Sequence, residues 1–310
     1  MSPPNVPCDD HLRSVRAMLS LEGLSIGDAF GERFFVRGAE EMIARRWLPA
    51  PVWTWTDDTE MATAIVRVLH ERGGVDQDAL AAEFARRFVA NPYRGYGRGM
   101  HWLLQCISEG IPWAYEAPRL FDGSGSMGNG AAMRVAPLGA WYADDYERAA
   151  EAADASAAVT HHHREGRAGA VAVAVAAAWA CRAGEDDAVC DPAGLFAEVL
   201  GHVSAGAVRD GIARAAELPA GAPVAEAVRL LGNGSAVTAA DTVPFCLWCA
   251  ARHIGDYAAA LWATVSGLGD RDTTCAIVGG IVALSAGEDD IPADWRDARE
   301  PLHLDWHRRP

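Results

Sequence analysis

Residues 55–61 read Trp55-Thr56-Asp57-Asp58-Thr59-Glu60-Met61, so that two carboxylates and their neighbouring hydroxyls stand immediately before a helical pattern. Met61, Ile65 and Leu69 recur at intervals of four residues, which places them on one face of a helix. Two adjacent carboxylates at a helix start repel each other, and the positive end of the helix dipole offsets only part of that repulsion. A bound cation would offset more of it.

A second cluster of similar composition follows about 210 residues later. It reads Gly269-Asp270-Arg271-Asp272-Thr273-Thr274 and runs directly into the apolar segment 275–286. Carboxylates and hydroxyls are hard oxygen donors, which suit Mg²⁺, Ca²⁺ or Mn²⁺ better than zinc. We therefore expect the fold to bring both clusters together around hard metal ions, with two ions roughly 3.5–4 Å apart and a shared carboxylate.

Helix capping is the alternative interpretation of each cluster. Asp57 and Glu60 have the spacing of a capping box, and Asp272 stands where it would cap the last long helix. Either cluster taken alone is open to this interpretation. The matching composition of the two clusters favours metal ligation.

Composition limits the classes of protein and partner. Half of the 310 residues are apolar and 22% are charged, so a substantial core can form. The formal net charge of −15 argues against broad binding to nucleic-acid phosphates or to an anionic membrane surface. The seven scattered cysteines predict a reducing, cytoplasmic compartment. A lone CxxC motif, residues 246–249, lies in an apolar run, which favours buried core cysteines over redox or metal chemistry.

No targeting or membrane segment is expected. The N-terminus shows no basic region followed by an apolar one, so we expect no secretory signal. The longest uncharged apolar run, residues 168–181, has 14 residues, whereas a membrane span needs about 20. We expect a protein without a membrane span, a loose N-terminal tail over residues 1–10, and a tail after Gly287 that coils over the surface.

Hydrophobic periodicity predicts many helices and no convincing pair of strands. The helical segments run over residues 11–24, 59–71, 76–90, 100–109, 149–160, 166–183, 191–217, 223–231, 254–266 and 275–286. In the segment 76–90 we expect Leu80, Phe84, Phe88 and Val89 to face inward. The segment 166–183 is long and rich in Ala and Val, so we expect a buried helix there. The prediction is an all-α fold, a single compact multi-helix domain spanning 1–310 with a core of about 11–287 and flexible tails.

Three glycines, Gly23, Gly27 and Gly31, are spaced by four residues. On a helix they would line one face and permit the close approach of another backbone. Asp28 and Glu32 would share a face of the same helix. Their side chains belong either to a site or to a solvated acidic surface.

A glycine-rich stretch, residues 122–130, exposes backbone N–H groups that can cradle a diphosphate, although a plain connecting loop has the same composition. It is neither a Walker loop nor a Rossmann fingerprint. Three successive histidines, residues 161–163, cannot all serve one site, because adjacent side chains point in different directions. We expect one of them to face a pocket.

Five of these stretches together resemble the ADP-ribosylglycohydrolases, which include the dinitrogenase-reductase-activating glycohydrolases. They occur in the family's order over about residues 17–286, and they read Gly27-Asp28-Ala29-Phe30-Gly31, Thr56-Asp57-Asp58-Thr59, Gly128-Asn129-Gly130-Ala131-Ala132-Met133-Arg134, Thr160-His161 and Asp270-Arg271-Asp272-Thr273. The resemblance implies a single all-α fold, a dinuclear Mg²⁺ centre that sometimes holds Mn²⁺, and hydrolysis of the bond between ADP-ribose and a modified acceptor.

The resemblance also implies roles for individual residues. The metal ligands would be Thr56, Asp57, Asp58, Asp270, Asp272 and Thr273, and the carboxylates that orient or deprotonate the attacking water would be Asp57, Asp58 or Asp270. The ADP-ribose would be held by Ser126, Gly128, Asn129, Gly130 and His161. The implied partner is an ADP-ribosylated protein or small molecule, or a nucleic acid only if it is ADP-ribosylated, and we expect a monomer.

One position departs from the family pattern. Family members often carry a Glu eight residues after the first Gly of the Gly-Asp motif, whereas this chain has Phe35 there and its nearest acid is Glu32. Two alternatives remain open, and the departure supports the first of them. One is an inactive relative that only binds ADP-ribose, and the other is a Mg²⁺-dependent phosphohydrolase that uses the same oxygen ligands.

Overall fold

The structure is a computed structural model that describes residues 10–185, 191–219 and 221–304. The expected loose N-terminus, apart from Asp10, the acidic loop after Glu185 and the last six residues therefore lie outside the described part. The described residues form seventeen α-helices, which are α1 (Asp10–Glu32), α2 (Ala39–Ala44), α3 (Asp57–Arg72), α4 (Gln77–Ala90), α5 (Arg98–Ser108), α6 (Trp113–Glu116), α7 (Leu120–Gly123), α8 (Ala136–Trp141), α9 (Tyr146–Ala158), α10 (Arg164–Glu185), α11 (Pro192–His202), α12 (Ala207–Glu217), α13 (Val224–Leu231), α14 (Ala239–Arg252), α15 (Tyr257–Val265), α16 (Arg271–Ala286) and α17 (Ala293–Ala298).

The all-α prediction is confirmed. Within the described ranges the extended backbone makes only two isolated bridges and no strand. Side-chain caps begin many of the helices, as the polar residues ahead of the apolar patterns indicate. The capping residues are Thr56, Asp76, Asp145, Asp191, Thr238 and Asp256. Gly73, in the left-handed conformation at φ 71°, ends α3 where the sequence predicts a stop.

The centre of the fold is the pair α1 and α16, whose backbones lie in direct contact. A Cβ atom added at Gly23, Gly27 or Gly31 would overlap a backbone carbonyl oxygen of α16. The three glycines thus form the close-approach face that their spacing predicts. The predicted end of the first helix at residue 24 is wrong, because this packing compensates the helix-weakening effect of glycine and α1 continues to Glu32.

The other helices pack around this pair. By length and composition α10 is the one helix of the described residues that could cross a membrane, but 78% of its qualifying 18-residue window is buried inside the protein. Its alanines and valines fill the core, as the prediction of a buried helix requires. The CxxC cysteines, Cys246 and Cys249, are fully buried on α14, which confirms the core interpretation.

Two packing predictions are wrong. Val89 is 59% exposed, because it follows the last inward turn of α4, while Leu80, Phe84 and Phe88 are buried as predicted. The segment after Gly287 does not simply coil over the surface. Its α17 inserts Trp295, which stacks on Phe30 of α1 with ring centroids 4.6 Å apart. Burial of a large aromatic ring outweighs the polar composition of this segment.

Candidate functional site

The first acidic cluster forms the N-terminal turn of α3. The capping residue is Thr56, whose hydroxyl accepts a hydrogen bond from the backbone N–H of Asp58 at 3.4 Å. The predicted capping box is wrong, because Asp57 already lies inside the helix and Glu60 pairs with Arg87 at 2.6 Å. Neither Asp57 nor Asp58 is used as a cap, so both carboxylates remain available for a site.

The second acidic cluster begins α16. Its capping position is taken by Asp270, which makes no side-chain capping bond, and Asp272 lies in the first turn. Capping by Asp272 is therefore also excluded. Thr273 is buried in the same turn. As at α3, the carboxylates of this turn are not needed to begin the helix.

Asp28 of α1 connects the two turns. Its buried carboxylate accepts hydrogen bonds from the backbone N–H and the hydroxyl of Thr56, both at 2.9 Å, and from the N–H and hydroxyl of Thr59 at 3.0 and 2.5 Å. A solvated acidic face is the wrong interpretation for this residue, since Asp28 is 0% exposed. Because α1 lies against α16, the same helix holds the start of α3 beside the start of α16.

The carboxylates that meet here disfavour one another's charge. Burial, and then the charge of Asp28, raises the pKa of Asp57 to about 8. The pKa of Asp58 is raised by burial and by the charges of Asp28 and Asp272. The pKa of Asp272 is raised by burial and by the charge of Asp270. Carboxylates from three helices therefore share one buried region, and their charge calls for a cation.

The donor set suits a hard cation. Asp58 Oδ1 and Asp272 Oδ1, which come from different helices, are buried and have no hydrogen-bond partner. An unpaired buried carboxylate oxygen is costly, and coordination to Mg²⁺ or Mn²⁺ would satisfy it. Among the described residues no three Asp, Glu, His or Cys side chains already converge into a closed metal-binding group. Formation of a metal centre would therefore require these side chains to move.

The glycine-rich loop lies against the second acidic turn. Asn129 is buried and its side-chain amide donates hydrogen bonds to Asp270 at 2.7 Å and to Thr242 at 3.1 Å. Ser126 is buried and its hydroxyl accepts from the N–H of Gly128 at 3.2 Å. The loop is thus joined to an acidic cluster by Asn129, which a plain connecting loop would not require.

His161 is the buried histidine of the triplet, and its imidazole lies against this loop at Gly128 and Gly130. It is 3% exposed, whereas His162 is exposed and His163 is half-buried. Its Nδ1 lies 2.8 Å from the hydroxyl of Thr160. Burial, and then the nearby charge of Arg134, lowers the pKa of His161 to about 3, so its imidazole is neutral at physiological pH.

The position that departs from the family pattern, Phe35, lies three residues after the end of α1. Phe35 is 47% exposed, and its ring lies 4.6 Å from the guanidinium carbon of Arg271. Glu32 is half-buried, and burial together with the charge of Asp28 raises its pKa. Glu32 is therefore the acid of this segment that is electrostatically linked to the carboxylate cluster, and Phe35 offers an aromatic surface beside Arg271.

The loop at residues 91–97 contacts Asp57 at the start of α3, which the sequence analysis did not predict. The carbonyl of Arg94 accepts from the N–H of Asp57 at 2.7 Å, and its guanidinium lies 3.5 Å above the ring of Trp55 while pairing with Glu300. A Cβ at Gly95 would lie 3.2 Å from Asp57 Oδ1. The loop is visibly rich in Gly, Arg and aromatic residues, but no local pattern shows that it packs on α3.

A separate cavity of about 770 Å³ lies on the side of α3 that carries Glu60. Its lining includes Trp55, Arg87, Arg94 and the segment 302–304. None of the predicted metal or ADP-ribose ligands lines it. The predicted residues are grouped instead around the helix starts of α3 and α16 and the loop that bears Asn129.

The chain is similar in sequence to known ADP-ribosylglycohydrolases. The family model for ADP-ribosylglycohydrolase matches residues 9–308. ADP-ribosylhydrolase ARH3 of Homo sapiens is 29% identical in an alignment of 278 positions that covers 79% of this chain and 74% of that protein. ADP-ribosyl-[dinitrogen reductase] glycohydrolase of Rhodospirillum rubrum is 32% identical in an alignment of 139 positions that covers 39% of this chain and 43% of that protein.

A solved structure shares the fold. The chain of an ADP-ribosylglycohydrolase-related protein complex superposes with a TM-score of 0.66 at 24% identity, covering 94% of each chain. At this identity the similarity establishes the arrangement of helices and nothing finer.

Proposed function

The chain belongs to the ADP-ribosylglycohydrolase family and is a hydrolase of that kind, and from that premise we propose that it removes ADP-ribose from a modified acceptor with the help of two Mg²⁺ ions. The observation that carries the metal part is the pair of unpartnered, buried oxygens, Asp58 Oδ1 and Asp272 Oδ1, in a region shared by carboxylates of three helices. Mn²⁺ is the expected substitute, because it accepts the same oxygen ligands.

Thr56, Asp57, Asp58, Asp270, Asp272 and Thr273 would hold the ions. When bound, the ions would polarise the ribose hydroxyls and lower the pKa of a water molecule. The carboxylate of Asp28 accepts hydrogen bonds from the N–H and hydroxyl groups of Thr56 and Thr59, and it thereby holds the first turn of α3 in place. The amide of Asn129 donates a hydrogen bond that orients Asp270. The positions of these ligands are therefore set by groups that do not themselves need to touch the ions.

The chain's own residues supply the remaining steps. A carboxylate oxygen of Asp57, Asp58 or Asp270 accepts a proton from the attacking water as the water oxygen bonds to C1′ of the ribose, and the departing acceptor takes up that proton. The same carboxylates stabilise the positive charge that develops on the ribose as its bond to the acceptor breaks. The loop with Ser126, Gly128, Asn129 and Gly130, together with His161, binds the phosphates and ribose of ADP-ribose.

The acceptor is proposed at the level of a class. An ADP-ribosylated protein fits the name of the Rhodospirillum rubrum relative, which specifies dinitrogen reductase. Arginine or serine is our proposal for the modified side chain, and an ADP-ribosylated small molecule or nucleic acid is the further option. The net charge of −15 disfavours extended nucleic-acid contacts. We propose a monomer in the cytoplasm, where the free buried cysteines are compatible with a reducing environment.

A second function is favoured by Phe35. The absence of an acid at this position is compatible with a protein that binds ADP-ribose without hydrolysing its glycosidic bond. The complete set of predicted ligand carboxylates and the two unpartnered oxygens support the hydrolase.

The test measures free ADP-ribose released from ADP-ribosylated arginine, serine and nucleic acid, each with Mg²⁺, with Mn²⁺ and with EDTA. Metal-dependent release from one substrate is expected and would identify the acceptor. Tight binding of ADP-ribose without release would establish the binding protein instead. Release of phosphate or AMP from ADP-ribose would identify a phosphohydrolase.

A further inference from the structure

We propose that Arg134 and Thr160 hold His161 in the tautomer that carries its proton on Nε2, so that His161 is a neutral hydrogen-bond donor to an oxygen of ADP-ribose beside Gly128 and Gly130. Arg134 and Thr160 are positioning residues in this proposal, because they act on the ligand only through His161. The identity of the ligand rests on the proposed function, whereas the tautomer does not.

Hydrogen bonds run from Arg134 to Thr160 and from Thr160 to His161, and we call this chain the relay. The side chain of Arg134 is 0% exposed and lies with its guanidinium carbon 4.4 Å from the ring of Phe84. One guanidinium nitrogen donates to the hydroxyl of Thr160 at 2.8 Å and to the carbonyl of Ser156 at 3.3 Å. A guanidinium has five N–H donors and no acceptor, so the direction of the bond to Thr160 is fixed.

The hydroxyl of Thr160 links Arg134 to His161. This hydroxyl is buried and has two partners, the guanidinium of Arg134 and Nδ1 of His161 at 2.8 Å. One lone pair receives the N–H of Arg134, and the hydroxyl proton then has Nδ1 as its acceptor. The opposite arrangement, with a proton on Nδ1, would leave the buried hydroxyl proton without an acceptor, which is unfavourable.

The acceptor role of Nδ1 fixes the other nitrogen. A neutral imidazole carries one proton, so an unprotonated Nδ1 places that proton on Nε2. A second proton is disfavoured, because the ring is buried beside the positive charge of Arg134. His161 therefore presents a neutral N–H group rather than a positive charge.

The Nε2 atom faces the glycine-rich loop. A Cβ added at Gly128 would lie 3.2 Å from Nε2, and one added at Gly130 would lie 3.0 Å from it. Within the described part of the chain no residue forms a hydrogen bond with Nε2. The absence of side chains at these two glycines leaves room for the imidazole against the loop. A ribose or phosphate oxygen bound at the loop would accept a hydrogen bond from Nε2.

The direct test is the side-chain ¹⁵N spectrum of the free wild-type protein labelled at histidine, with the His161 signals assigned by their loss in His161→Asn. We expect a protonated-type shift for Nε2 and an unprotonated-type shift for Nδ1, unchanged from pH 8 down to pH 5. A proton on Nδ1, or titration of His161 within this range, would overturn the proposal without the use of any ligand.

Two variants test the relay. Thr160→Val keeps the volume of the side chain and removes the hydroxyl, and Thr160→Ser keeps the hydroxyl and removes the methyl group. We expect Thr160→Val to show both tautomers of His161 and to bind ADP-ribose about tenfold more weakly by calorimetry, and Thr160→Ser to remain within about twofold of the wild type. Equal binding and an unchanged spectrum in a folded Thr160→Val would contradict the role of Thr160.

The ligand is tested separately from the tautomer. If the wild type fails to bind ADP-ribose, the ligand assignment and the proposed function both fall, while the spectrum of the free protein still decides the tautomer. If the wild type binds ADP-ribose but the Nε2 signal does not move on binding, the donor role of His161 is wrong and the proposed function stands.

Discussion

Thr59 gives both its backbone N–H and its hydroxyl to one carboxylate oxygen of Asp28, at 3.0 and 2.5 Å. The two residues are 31 positions apart in the chain, on α1 and α3, and both are completely buried. This contact fixes the rotation and height of α3 relative to α1. Since α1 also lies against α16, the contact determines where Asp57 and Asp58 stand relative to Asp270 and Asp272.

Removal of the Thr59 hydroxyl should weaken the fold and the metal site together. In Thr59→Val the buried carboxylate of Asp28 loses a charge-assisted bond, which predicts a loss of about 1.5–3 kcal/mol in the free energy of unfolding. We also expect weaker binding of Mn²⁺, measured by electron paramagnetic resonance of the free ion. Thr59→Ser retains the hydroxyl and serves as the control, and a Thr59→Val protein as stable as Thr59→Ser would contradict the role of this bond.

The glycine contact between α1 and α16 predicts a large effect for a single methyl group. In Gly27→Ala the new Cβ would overlap the carbonyl oxygen of Cys275, so the helices must separate. We expect a loss of about 3 kcal/mol in the free energy of unfolding, measured with urea. Gly201→Ala is the control, because nothing lies within 4 Å of its added Cβ. That helical substitution should be neutral or stabilise by up to about 1 kcal/mol.

Neutralising one carboxylate of the cluster should separate stability from activity. Asp58→Asn and Asp272→Asn each remove a charge that the neighbouring carboxylates oppose, so the metal-free variants should unfold at a higher temperature than the metal-free wild type. Their release of ADP-ribose should fall at least about 10²-fold, and Asp58→Ala or Asp272→Ala should abolish it. Asp294→Asn changes an exposed carboxylate on α17 and should alter neither property. Near wild-type turnover in an Asp58 or Asp272 variant would contradict the dinuclear model.

Metal removal should make stability fall as pH rises. In the folded, metal-free protein the pKa of Asp57 is about 8, above its ordinary value of 3.8, because of burial and the charge of Asp28. The folded state then binds the proton more tightly than the unfolded state. Its contribution to stability is fully present below pH 3.8 and is lost as pH rises through about 8.

Thermal unfolding in EDTA should therefore show a melting temperature that decreases from pH 5 to pH 9, by on the order of 5 °C. Excess Mg²⁺ should remove most of this decrease, because the ion binds the ionised carboxylates. Asp57→Asn in EDTA should show a flatter profile. A melting temperature that rises over this range in EDTA, or that Mg²⁺ leaves unchanged, would contradict a buried carboxylate cluster that binds metal.

The sequence by itself determined the helical class, the end of α3 to within one residue, the buried character of α10 and the glycine face of α1. These features follow from local signals, such as Gly73 after the last turn of α3, the apolar composition of α10 and the four-residue spacing of the glycines. The predicted start of α3 at residue 59 is two residues late, since the capping hydroxyl belongs to Thr56. The sequence also marked both acidic clusters, because carboxylates at a helix start are visible as a local pattern. It could not separate capping from ligation, since both use the same residues at the same spacing.

Only the tertiary structure decided how these carboxylates are used. Asp28 is a buried acceptor because Thr56 and Thr59, at the start of α3, donate four hydrogen bonds to it. The relay from Arg134 to His161 depends on the hydrogen bond from Arg134 to Thr160, which are 26 residues apart. The predictions for Val89 and for the segment after Gly287, which carries Trp295, are wrong for the same reason. Burial depends on which distant helix covers a side chain. The physical cause is that desolvation and the pairing of buried polar groups are properties of the packed molecule, whereas helix propensity and capping are properties of the local chain.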